Sequence, residues 1–79
     1  MSDITVYGAT GLVGQLVAHY LASINAPSVT LAGRNRPVLA ALRDELNPHW
    51  DIAIAAADDA DAVEHMVEHT KVLITVVGP

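Results

Sequence analysis

Ile4-Thr5-Val6-Tyr7-Gly8-Ala9-Thr10-Gly11-Leu12-Val13-Gly14 is the stretch on which the rest of the chain depends. Ile4 to Tyr7 is rich in β-branched and aromatic residues and predicts a short strand. The strand ends at Gly8, and from Leu12 the apolar residues recur at helical spacing. A strand that enters a helix through a glycine turn brings free backbone N–H groups and the positive end of a helix dipole to its carboxyl end. Phosphate is the natural ligand of such a place.

Gly8, Gly11 and Gly14 form G-x-x-G-x-x-G, a variant of the G-x-G-x-x-G dinucleotide fingerprint. Gly8 permits the sharp exit from the strand, Gly11 lets a pyrophosphate approach the backbone, and Gly14 lets the helix pack closely. Turn and packing roles alone would also explain three glycines. The strand before them and the amphipathic helix after them favour the ligand. The expected cofactor seat is therefore Gly8, Ala9, Thr10, Gly11, Leu12, Val13 and Gly14.

Moving outward, Leu12, Val13, Leu16, Val17, Tyr20, Leu21 and Ile24 form one broad apolar stripe, the expected packing face. Gln15, His19 and Ser23 take the opposite side, and Asn25-Ala26-Pro27 stops the helix. Val29 to Ala32 predicts a second strand ending at Gly33. A polar loop, Arg34-Asn35-Arg36-Pro37, leads into a helix with Val38, Leu39, Leu42 and Leu46 on one face, closed by Asn47-Pro48. Asp51 to Ala57 predicts a third strand. A helix capped by Asp58 or Asp59 then runs to about Thr70, with Ala60, Val63 and Val67 as its buried edge. The unbroken apolar run within Lys71 to Val77 predicts a fourth strand buried on both faces.

Strict β-α-β-α-β-α-β alternation implies an α/β fold with a parallel sheet and right-handed crossovers. A Rossmann half places the first strand centrally and the fourth beside it, giving the order 3-2-1-4. The first two helices then cover one face and the third the other. The chain stops at Gly78-Pro79, straight after a strand that should be internal. Residues 1–79 are thus expected to be the N-terminal part of a dinucleotide-binding domain, without a substrate domain. That predicts exposed apolar surface and self-association through the uncovered sheet face.

The position that separates NAD from NADP lies about 20 residues past the glycines, where an Asp or Glu binds the ribose 2′-hydroxyl. Here the sequence is Gly33-Arg34-Asn35-Arg36, with no acid. A guanidinium suits a 2′-phosphate, to which it makes paired charge-assisted bonds. NADP(H) is expected over NAD(H), with Arg34 the main contact and Arg36 and Asn35 beside it. Asp58 follows the third strand and serves the adenine edge, the helix N-cap, or both. Gly78 ends the fourth strand, where the nicotinamide ribose would pass.

Composition narrows the alternatives. The 79 residues carry nine acidic and four basic side chains, a net charge of −5, which disfavours nucleic acid. With no cysteine there is no disulfide, thiolate metal site or cysteine nucleophile. No apolar run approaches the ~20 residues of a membrane span, so a cytoplasmic location is expected. His65-Met66-Val67-Glu68-His69 has the H-x-x-E-H spacing of one zinc-protease class, but both histidines lie opposite Val63 and Val67 and no third ligand is evident. A solvated helix face is the better reading, and no metal is expected. No Tyr-x-x-x-Lys pair, Ser/His/Asp arrangement or P-loop lysine is present, so no catalytic residue is assigned.

Tyr7-Gly8-Ala9-Thr10-Gly11-Leu12-Val13-Gly14, Leu31-Ala32-Gly33-Arg34-Asn35 and Thr75-Val76-Val77-Gly78-Pro79, in this order, resemble the N-terminal cofactor domain of saccharopine dehydrogenase-like oxidoreductases. The resemblance covers essentially the whole chain and is greatest to the bacterial branch that includes trans-acting enoyl reductases. It implies an NADP-linked oxidoreductase in which Gly8, Gly11, Gly14 and Arg34 hold the cofactor and a later domain holds most of the substrate. The rival implied by the same glycine turn is an NmrA-like module that binds NADP without turning it over.

Overall fold

The computed structural model of the chain describes residues 2–54, 60–68 and 70–75. In chain order the elements are β1 (Ser2–Tyr7), α1 (Leu12–Ser23), β2 (Val29–Gly33), α2 (Arg36–Leu46), β3 (Asp51–Ile54), α3 (Ala60–Glu68) and β4 (Thr70–Thr75). The four strands form one sheet in the order β3-β2-β1-β4. All three pairings are parallel. This is the expected Rossmann arrangement.

Register sorts the side chains onto two faces. Ile4 pairs with Val29 and Val6 with Leu31, while Leu31 also pairs with Ile52. Together with Leu21, Leu39 and Leu42 these residues make the larger core, beneath α1 and α2. Thr5, Tyr7, Thr30 and Ala32 point to the other face, where Tyr7 and Ala32 meet Met66 of α3. Every residue of β2 is buried, as expected of a strand covered on both sides. Trp50 closes the end of the larger core, its indole N–H donating to the Ala26 carbonyl at 2.9 Å.

The ends of the helices are set locally. Asn25 takes the left-handed conformation at φ 57°. The Asn25 N–H donates to the Ala22 carbonyl and the Ala26 N–H to the Leu21 carbonyl. This paired closure is a Schellman motif, with Pro27 just beyond it. At the start of α2 the Asn35 side chain accepts from the Val38 N–H, and Pro37 occupies the first turn, where its missing N–H costs nothing.

Several sequence expectations change. In α1 the sheet-facing residues are Gly14, Ala18 and Leu21, with Val17 and Ala22 half-buried. Leu12, Val13, Leu16, Tyr20 and Ile24 are exposed, because the close approach of α1 to the sheet admits only its smaller side chains along much of the contact. Val38 of α2 is also exposed, leaving Leu39 and Leu42 to pack. In α3 the buried anchor is Met66, with Ala62 and Val63 beside it, whereas Ala60 and Val67 face outward. α3 ends at Glu68, and Thr70 already belongs to β4.

β4 departs furthest from expectation. It is an edge strand, and Val72 and Leu73 are exposed rather than buried on both faces. An apolar run records what a strand is able to bury, not what lies beside it. The described parts of β3 and β4 stop at Ile54 and Thr75. Asp58, Asp59, His69, Val77, Gly78 and Pro79 lie outside the described residues.

Candidate functional site

The glycine turn is anchored before it reaches the helix. The N–H groups of Gly8 and Ala9 both donate to the Ala32 carbonyl, at 2.9 and 3.2 Å, so the end of β1 is tied to the end of β2. Gly8 then takes φ 87°, a conformation that side chains other than glycine rarely tolerate. The Gly11 N–H closes the turn on the Gly8 carbonyl at 3.0 Å, and the Gln15 N–H begins the helical ladder on Gly11 at 2.9 Å.

Gly11 and Gly14 differ in what a side chain would meet. At Gly14 a Cβ would lie 2.8 Å from the Ala9 Cα and closer still to the Gly8 carbonyl oxygen, so the helix packs directly on the turn backbone. At Gly11 the nearest atom is the Gly8 oxygen at 3.4 Å, and the residue is exposed. The protein's own packing therefore does not demand a glycine at residue 11. Apart from that oxygen, the described residues beyond its chain neighbours leave the space within 4 Å of such a Cβ open.

Gly11 is the N-cap of α1 and supplies no side-chain cap. Among the described residues, no side chain caps the first-turn N–H groups of Leu12, Val13 and Gly14 at the carboxyl end of β1. One lock on this turn escaped the sequence reading. The Gln15 side-chain amide donates to the Thr10 carbonyl at 2.9 Å and holds the peptide between the second and third residues past Gly8. A glutamine on a polar helix face carries no sequence signal of such a role. Ala9 is fully buried with its N–H engaged, so it serves as scaffold beneath the seat.

β2 ends at Gly33 beside this turn, and Arg34 and Arg36 follow it, both exposed. Among the described residues neither arginine is in an ion pair. Asn35, between them, turns its side-chain oxygen inward to the Val38 N–H. The two arginines thus flank the capped start of α2, just past the strand end that the Gly8–Ala32 bond ties to the glycine turn. Asp58 and Gly78, the remaining expected contacts, lie outside the described residues.

The seat stands at the switch point of the sheet. From β1 the chain leaves through α1 to β2 on one side, while β4 lies on the other. In open α/β sheets ligands bind in the crevice at this reversal. A helix start uncapped among the described residues, a glycine with room for a Cβ and two exposed arginines together fit a dinucleotide phosphate. Among the described residues no group of His, Cys, Asp and Glu could hold a metal ion. His65 is exposed on α3. None of the helices among these residues is long and apolar enough to cross a membrane.

Comparison with known proteins agrees with this geometry. A trans-acting enoyl reductase of Mycobacterium ulcerans is 37% identical over 81 residues, covering 98% of this chain and 19% of the relative. One from Mycobacterium leprae is 38% identical over the same length, again 19% of the relative. The chain therefore spans about a fifth of the length of these curated relatives. A short chain dehydrogenase from Bacillus anthracis shares the fold with a TM-score of 0.69 at 18% identity, over 84% of this chain and 29% of that one. The sequence profile described as "Saccharopine dehydrogenase NADP binding domain" matches residues 4–79. This chain belongs to the saccharopine dehydrogenase NADP-binding domain family.

Proposed function

We propose that the chain is the N-terminal part of the NADP(H)-binding domain of an oxidoreductase. The observation that carries the proposal is the uncapped start of α1, set by Gly8, Gly11 and Gly14 at the switch point of a parallel sheet. The N–H groups of Leu12, Val13 and Gly14 bind the pyrophosphate across the open face of Gly11. Thr10 completes the turn, and Gln15 keeps its carbonyl turned away. Arg34 grips the 2′-phosphate with two charge-assisted bonds, and Arg36 adds a second positive charge. Asn35 orients both by capping α2 between them.

The preference for NADP(H) over NAD(H) rests on Arg34 and on the absence of an acid at the end of β2. When bound, the nicotinamide supplies or accepts a hydride. The names of the mycobacterial relatives point to reduction of a carbon–carbon double bond conjugated to a carbonyl. The matched stretch is about a fifth of those longer proteins, and the role proposed for residues 1–79 is to hold the cofactor. The test is calorimetric titration of wild type and Arg34→Ala with NADPH and NADH, alongside circular dichroism. Arg34→Ala is expected to lose roughly 1.5 to 3 kcal/mol for NADPH, about 10- to 100-fold, and to leave NADH binding nearly unchanged. Equal affinities for the two nucleotides in wild type would remove the preference.

A further inference from the structure

Gln15 is exposed near the start of α1, yet both of its nitrogens hold the glycine turn. Its backbone N–H donates to the Gly11 carbonyl at 2.9 Å. Its side-chain amide donates to the Thr10 carbonyl, also at 2.9 Å. A carbonyl partner requires the NH2 end of the amide to face it. Among the described residues no backbone N–H reaches the Thr10 oxygen. At the other end of the same peptide, the Gly11 N–H donates to the Gly8 carbonyl at 3.0 Å. The Thr10–Gly11 peptide is therefore held at both ends, and Gln15 supplies one of the two holds.

We infer, resting on the NADP(H) reading, that Gln15 is a positioning residue for the pyrophosphate and acts through Thr10 rather than by touching the ligand. Gly11 has no Cβ, so the peptide before it rotates freely unless something fixes it. Rotation would turn the partly negative Thr10 oxygen into the seat, where it repels phosphate. With Gln15 in place the carbonyls of Gly8, Thr10 and Gly11 all accept hydrogen bonds from the protein itself. The first-turn N–H groups of Leu12, Val13 and Gly14 keep no side-chain cap. Acceptors are occupied and donors are left over, the arrangement an anion needs. Holding the peptide in this state before binding removes an ordering cost that the ligand would otherwise bear. The effect is confined to the pyrophosphate, because Arg34 and Arg36 stand on the other side of the Gly8–Ala32 bond in the chain, after β2.

Calorimetric titration of wild type, Gln15→Met and Gln15→Glu with NADPH and with 2′-AMP tests it, beside thermal unfolding followed by circular dichroism. NADPH carries the pyrophosphate and the 2′-phosphate, and 2′-AMP only the second. Gln15→Met keeps side-chain length and helix propensity while removing the donor. It should fold, weaken NADPH roughly 5- to 10-fold, and leave 2′-AMP within about 2-fold. Gln15→Glu accepts only and cannot hold the Thr10 oxygen. It should weaken NADPH further, although an acid near a helix N-terminus favours folding. Without any nucleotide, amide hydrogen exchange at Gly11, read by NMR, should quicken about 5-fold in Gln15→Met.

Wild-type NADPH affinity in Gln15→Met, or unchanged exchange at Gly11, would overturn the positioning role and leave the NADP(H) reading standing. Equal losses for NADPH and 2′-AMP together with a lower melting temperature would overturn it too, since they mark a purely structural role. If Gln15→Met does not fold, wild-type NADPH affinity in Gln15→Glu has the same consequence. A folded wild-type chain that binds neither ligand would remove the NADP(H) reading, and the role of Gln15 with it.

Discussion

Helices α1 and α2 cover the same face of the sheet and are built on opposite plans. α2 buries Leu39 and Leu42 beneath a polar surface, and Asn35 caps its first turn. α1 buries Gly14, Ala18 and Leu21, turns its other large apolar side chains outward, and has no side-chain cap. α2 is complete as a piece of protein structure. α1 leaves its N-terminus without a side-chain cap and its outer flank exposed. The difference follows from Gly14, which brings α1 onto the turn backbone. Close approach favours small residues facing the sheet, and the large ones then project away from it.

The largest test of this contrast is Gly14→Ala set against Gly11→Ala. The first puts a methyl group against backbone atoms that have nowhere to move. It should cost at least ~3 kcal/mol in thermal or urea unfolding, enough to abolish folding of a small domain. Gly11 has φ −74° and ψ 167°, which alanine adopts freely. Gly11→Ala should fold normally and lose nucleotide binding in the same calorimetric titration. If both variants fold alike, α1 is not held by its contact with the turn.

Truncating one large residue on each helix comes next. Leu39→Ala, at a fully buried position, should destabilise by about 2 to 5 kcal/mol. Leu16→Ala at low protein concentration should change stability by less than ~0.5 kcal/mol. Equal losses would mean that the outer flank of α1 is covered within the monomer. The smallest effect is expected at the cap of α2, where Asn35→Ala should cost about 1 kcal/mol. A parallel loss of NADPH affinity there would show that the cap also orients Arg34 and Arg36.

Element order and strand topology were legible because each rests on local signals: a β-branched run ending in glycine, a changed period, a proline after the helix. The expected α1 stripe failed for an equally specific reason. A helix apolar around most of its circumference has no sharp inward direction, and ranking its residues by size picked Leu12, Leu16 and Tyr20 over Gly14 and Ala18. Met66 was passed over because Val67 continues the three- and four-residue spacing of Ala60 and Val63, and the buried side lies one position round the helix. Gln15 was unreadable because its partner is a carbonyl in an irregular turn.

The sequence by itself determined the alternating parallel architecture, the glycine turn, and the arginines in place of an acid after β2. These are properties of neighbours along the chain, where steric and hydrogen-bonding limits act over a few residues. Only the tertiary structure decided which side of α1 meets the sheet, that Val72 and Leu73 of β4 are exposed, and that residue 14, unlike residue 11, must be glycine for the fold itself. Those depend on how closely two segments distant in sequence approach, and no local pattern encodes that distance.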